Sequence, residues 1–229
     1  MRVDQINKEN KTNKPNSSTK PIIHNIILTD ASGSMAGSKY DSAIKSIREE
    51  LDILSKDTNS DFLYTLVEFD SSRFTRHMFV DKELKSFRPI LASGGTPLYN
   101  SMGKLFEELE PMIKEGERVL VKIFTDGDDT ERGSGKYGSS KIATYIDKLI
   151  NVNKWTITFN CTEQDKFRLI NIGIPESNIL AHNNTAEDIE RVAKYRTAST
   201  MLYSKSVSIG VSVDTLTNNF YTKSIDNEF

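Results

Sequence analysis

The sequence predicts a doubly wound α/β fold: a mostly parallel six-stranded sheet with one antiparallel edge strand and helices on both faces. Three observations carry this. Short apolar runs of strand length recur along the chain, segments with apolar residues at helical spacing separate them, and most connections are long enough for a crossover helix. With 229 residues the chain can build one well-buried domain.

Taken in order, Ile22 to Leu28 is a nearly continuous apolar run, as a strand buried on both faces requires. Ala43, Ile44, Ile47, Leu51 and Leu54 then repeat at helical spacing. Phe62 to Phe69 reads as the second strand, ending at Asp70-Ser71-Ser72. Arg73 to Val80 returns beside it as the antiparallel edge, because the turn between them is short. Leu98, Met102, Leu105, Phe106, Leu109 and Ile113 form the clearest helical stripe. A strand at Val119 to Phe124 follows, then a helix bearing Ile142, Tyr145, Ile146, Leu149 and Ile150. The series closes with a strand at Trp155 to Cys161, a short helix around Asp165 to Ile172, a short strand near Asn178 to Ala181 and a helix from Thr185.

Residues 1–20 are rich in Asn, Lys, Ser and Thr and hold almost nothing to bury, so they read as a flexible polar arm. The domain proper is expected over 21–203. Residues 204–229 are expected to be a tail, either an extended or partner-docking arm or a last strand at Val207 to Val213.

Composition narrows the function. A formal charge of −2 and a pI near 6.0 leave no broad basic surface, so nucleic acid is not an expected partner. Cys161 is the only cysteine, which excludes an intrachain disulfide and a thiolate metal cluster; its apolar surroundings suit a buried thiol. No window approaches the ~18 consecutive apolar residues of a membrane span, and the first residues lack the apolar core of a signal peptide. A soluble cytoplasmic protein that does not touch a membrane is the expectation.

Three separated segments carry the chemistry. Asp30-Ala31-Ser32-Gly33-Ser34 follows the first strand, Gly94-Gly95-Thr96-Pro97 opens the helical stretch that begins at Leu98, and Asp126-Gly127 follows the strand ending at Phe124. Asp30, Ser32, Ser34, Thr96 and Asp126 together offer two carboxylates and three hydroxyls, a donor set suited to a hard cation such as Mg²⁺. In a sheet of order 3-2-1-4-5-6, the first and fourth strands are neighbours at the crevice where ligands bind, which brings Asp30 and Asp126 side by side. Taken singly, the same residues also serve as turn and cap residues. Gly133-Ser134-Gly135-Lys136 fails as a phosphate loop, because Thr130 and Tyr137 stand where glycine and a serine or threonine are needed. His77 and His182 have no companions at zinc-ligand spacing.

The order Asp-x-Ser-x-Ser, Thr at a helix start and Thr-Asp-Gly resembles the von Willebrand factor A (vWA) domain over roughly residues 21–200. The stretch Gln164 to Ala181 is similar to its intracellular bacterial and phage branch. The resemblance implies a complete metal-ion-dependent adhesion site. Ser32 and Ser34 would be direct ligands, and Asp30 and Asp126 direct or water-mediated ones. Thr96 would alternate between the two modes. Mg²⁺ is the implied ion, with Mn²⁺ or Ca²⁺ as alternatives, and the open position would take an acidic side chain of a protein partner. No catalytic residue is assigned. The competing readings are a Mg²⁺-dependent phosphohydrolase on a similar sheet and a scaffold whose metal is only structural.

Overall fold

The computed structural model describes residues 20–79, 87–127, 129–131 and 135–221. The strands are β1 (Ile22–Asp30), β2 (Asp61–Phe69), β3 (Phe74–Phe79), β4 (Arg118–Phe124), β5 (Thr156–Thr162) and β6 (Ile179–His182). The helices are α1 (Ser38–Leu54), α2 (Leu98–Leu109), α3 (Ser139–Asp147), α4 (Glu163–Asn171), α5 (Ala186–Ser208) and α6 (Val213–Thr217). All six strands form one sheet in the order β3-β2-β1-β4-β5-β6. Only β3 runs antiparallel, against β2, and it forms one edge.

β1 lies in the middle, where Ile27 is level with Leu66 of β2 on one side and Lys122 of β4 on the other. Strand residues alternate between faces. Ile26, Leu28, Val121, Ile123 and Phe159 pack under α2, α3 and α4. Ile27, Ala31, Leu66 and Phe124 pack under α1 and α5 on the other face. Each fully buried aliphatic or aromatic side chain contributes about 1.5–3 kcal/mol, so the two apolar layers supply the main driving force.

Several helix ends follow from single residues. The stripe of α2 stops at Leu109 because Pro111 interrupts it; a 3-10 turn at Glu110–Met112 carries the chain on, and Ile113 still packs against the core. α3 passes into a π-helical turn at Lys148–Val152, which turns both Leu149 and Ile150 inward. Lys154, at φ 61°, then reverses the chain into β5.

The C-terminal segment differs from expectation. Val207, Ile209, Val211 and Val213 alternate like a strand, but no strand forms there. Val207 lies in the last turn of α5, Gly210 adopts φ 76° to end that helix, and Val213 begins α6. The boundary expected at residue 203 therefore falls inside α5. Leu216, Phe220 and Tyr221 close over Ile23, Leu120 and Tyr203, so this segment covers the sheet. The Asn178 amide ties it down: it donates to the carbonyls of Ile157 (3.1 Å) and Thr217 (2.6 Å) and accepts from the Phe220 N–H (3.0 Å). Residues 1–19 and 222–229, on which the two-arm expectation also rests, lie outside the described residues, as do Val80 at the end of the expected edge strand and Gly133 and Ser134.

The face beneath α1 and α5 holds three fully buried charges. Lys122 on β4 donates to Glu50 on α1, and Arg196 on α5 reaches the other Glu50 oxygen at 2.6 Å. The Arg196 guanidinium also lies 4.1 Å above the Phe124 ring. Burial alone would raise the Glu50 carboxyl, but the two cations outweigh it and hold it well below its usual range. Cys161 is buried, and burial pushes its thiol up to about 12. Among the described residues, no helix is long and apolar enough to cross a membrane.

Candidate metal centre

The sheet order brings the carboxyl ends of β1 and β4 together. Thr29 and Phe124 are level across the parallel pair, so Asp30 and the Thr125-Asp126-Gly127 turn leave the sheet at the same edge. The loop after β1 is held between two others: the Ala31 N–H donates to the Phe69 carbonyl (2.8 Å), the Ser93 N–H to the Ala31 carbonyl (2.8 Å), and the Gly33 N–H to the Gly94 carbonyl (2.9 Å). Backbone bonds thus fix the loop after β1 against the end of β2 and the Ser93-Gly94 segment, and the Thr130 N–H bond to the Thr96 carbonyl ties that segment to the loop after β4.

Hydrogen bonds link the residues of the loops after β1 and β4. Asp30 Oδ1 accepts from the Ser32 N–H at 2.8 Å, and its Oδ2 accepts from the Thr125 hydroxyl at 2.8 Å. The Ser32 and Ser34 hydroxyls are 2.9 Å apart, and Ser34 donates to Asp126 Oδ1 at 2.6 Å. Thr96 is placed by its backbone: its N–H donates to the Thr130 hydroxyl and its carbonyl accepts from the Thr130 N–H, both at 2.9 Å. Gly127 packs between the loops. A Cβ there would lie 3.8 Å from Ser34 Oγ and 3.9 Å from Thr96 Oγ1, so both hydroxyls flank the same glycine. All five residues expected from the sequence meet at one crevice, with Asp30, Ser32, Thr96 and Asp126 buried and Ser34 at the exposed rim.

Burial pushes the Asp30 carboxyl up to about 6. The bonds from Ser32 and Thr125 oppose the shift, and the nearby Asp126 charge adds to it. A desolvated carboxylate beside a second one is what a bound cation would relieve. Among the described residues, no three His, Cys, Asp or Glu side chains are grouped to hold a metal. The set here differs in kind: two carboxylates with neutral hydroxyls fit a hard, oxygen-ligated cation.

Two contributors were not singled out from the sequence. Thr125 orients Asp30, and the Lys39 ammonium is ion-paired with Asp126 Oδ2. Thr125 was visible only as part of the Thr-Asp-Gly string. Lys39 left a subtler cue, a cation in the first turn of a helix, where the dipole disfavours one.

The Gly94-Gly95 approach is glycine for a steric reason. Gly94 has φ 72°, and a Cβ on it would come within 2.5 Å of Ser71 Oγ. That serine hydroxyl accepts from the Gly95 N–H at 3.1 Å. Gly94→Ala is therefore expected to destabilise the protein by about 1–3 kcal/mol and to displace Thr96. Urea denaturation checks the first effect, and a wild-type midpoint would contradict it.

A cleft of about 640 Å³ opens beside Asp126 and Gly127 toward Glu163, Phe167, Arg168 and His182, with Phe167 72% exposed.

The architecture is that of the vWA fold. The sequence matches no family model and no curated protein. Solved structures carry the likeness instead. The pilus adhesin SpaC from Lactobacillus rhamnosus GG, in its open conformation, superposes with a TM-score of 0.61 at 12% identity, covering 81% of this chain and 30% of the adhesin. The SpRpn10 VWA domain gives a TM-score of 0.57 at 9% identity over 77% of this chain and 94% of that domain. Proximal thread matrix protein 1 from the mussel byssus, with a zinc-occupied MIDAS motif, gives 0.54 at 15% identity over 77% and 47%. This chain spans less than half the length of the adhesin and of the byssus protein.

Proposed function

We propose that the chain is a metal-dependent protein–protein interaction module. Mg²⁺ is held by Asp30, Ser32, Ser34, Thr96 and Asp126, and an acidic side chain of a partner protein completes its shell. The observation that carries this reading is the hydrogen-bonded run Asp30–Ser32–Ser34–Asp126, which joins the loops after β1 and β4 and sets their oxygens beside one another. The vWA fold of the neighbours supports an interaction module, and the zinc-occupied motif of the byssus protein supports a metal in such a site. Mg²⁺, with Mn²⁺ and Ca²⁺ as competitors, fits the all-oxygen donor set.

Mg²⁺ is expected to raise the thermal midpoint of the wild type by an amount that grows with concentration and is reversed by EDTA. Ser34→Ala and Thr96→Ala should each reduce that gain, since each removes one ligand oxygen. A midpoint unmoved by Mg²⁺, Mn²⁺ and Ca²⁺ at millimolar concentration would end the metal reading. Mg²⁺-dependent hydrolysis of a generic phosphoester, abolished in Asp30→Ala, would favour the hydrolase instead.

A further inference from the structure

Lys39 is the second residue of α1, in a turn where aligned peptide N–H groups already concentrate positive charge. A lysine there is unfavourable unless an anion holds it. The anion is Asp126: the Lys39 ammonium bonds Oδ2, while Ser34 donates to Oδ1. The Asp126 side chain is fully buried and that of Lys39 only 22% exposed, so solvent screens the pair weakly. Lys39 thus cancels one of the two negative charges that the crevice offers a cation.

We infer that Lys39 sets the charge of the candidate metal centre. By keeping Oδ2 of Asp126, it weakens capture of a divalent cation and leaves a captured ion with surplus positive charge. With Asp30 and Asp126 alone, a divalent ion would be neutralised and would attract an acidic partner poorly. With Lys39 in place, the assembly keeps one net positive charge beside the crevice, which favours an incoming carboxylate. The inference rests on the metal-binding reading and adds which residue tunes the centre toward acidic partners.

The test is isothermal titration of Mg²⁺ into the full chain as wild type, Lys39→Met and Lys39→Arg, with thermal melts confirming that each is folded. Lys39→Met keeps the stem and loses the charge, and it should bind Mg²⁺ about tenfold more tightly. Lys39→Arg keeps the charge and should stay within about threefold of wild type. Equal or weaker binding by Lys39→Met, or equal tightening in both variants, would overturn the role of the charge while leaving the metal site intact. Mg²⁺ binding by none of the three would overturn the metal reading itself, and this inference with it.

Discussion

Glu50→Gln is expected to lower the thermal midpoint by about 10 °C, from a loss of about 3–5 kcal/mol at about 2–4 °C per kcal/mol. Glu50, Lys122 and Arg196 are all fully buried, and the single carboxylate pairs with both cations. Neutralising it leaves two like charges facing each other in the interior. Lys122 is already strained in this respect: burial pushes its ammonium down to about 8, with Glu50 opposing the shift. Replacing all three together, as Glu50→Leu, Lys122→Met and Arg196→Met, should be less damaging than the single change, because no charge is then stranded. Urea denaturation of both proteins measures this. A single variant that loses under about 1 kcal/mol would mean that the cluster is hydrated or dispensable.

The second large effect depends on whether metal is present. In EDTA, Asp30→Asn should stabilise the protein by about 1–3 kcal/mol at pH 7.5, because a two-unit rise in pKa corresponds to about 3 kcal/mol. The folded carboxyl sits at about 6 against 3.8 for an ordinary one. Between those values the folded chain holds a proton that the unfolded chain has lost, so metal-free stability falls as pH rises from about 4 through 6. Asparagine can keep the acceptor for the Ser32 N–H and donate to the Thr125 oxygen. His182 contributes the reverse slope: burial lowers its pKa, so its share of stability rises with pH up to its ordinary 6.5. The difference between wild type and Asp30→Asn at each pH isolates the aspartate. Added Mg²⁺ should stabilise the wild type and leave the variant unmoved. A variant less stable than wild type in EDTA would show that the Asp30 bonds outweigh its desolvation.

Much of the fold was legible because its signals are local. Apolar runs such as Ile22–Leu28 and the stripe of α2 follow from the periods of strand and helix, and the crossover rule then constrains the sheet order. The oxygen-bearing loops were legible for a related reason: Asp30 and Asp126 stand at the ends of strands, where the chain leaves the core. In the C-terminal segment the local signal points the wrong way: Val207, Ile209, Val211 and Val213 alternate with the period of a strand, yet no strand forms. Gly210 and the docking of Leu216 and Phe220 decide otherwise, and neither effect belongs to that pattern.

Buried charge was the least legible feature. Lys122 interrupts an apolar run, and nothing within it announces that Glu50, 72 residues earlier, and Arg196, 74 residues later, will meet it. The same holds for Lys39, whose role depends on a carboxylate 87 residues away. By itself the sequence determined the periodicities, the strand-end placement of the oxygen donors and hence the α/β class. Only the tertiary structure decided which charges face one another, because electrostatic pairing depends on distance and desolvation in space, and the sequence records neither.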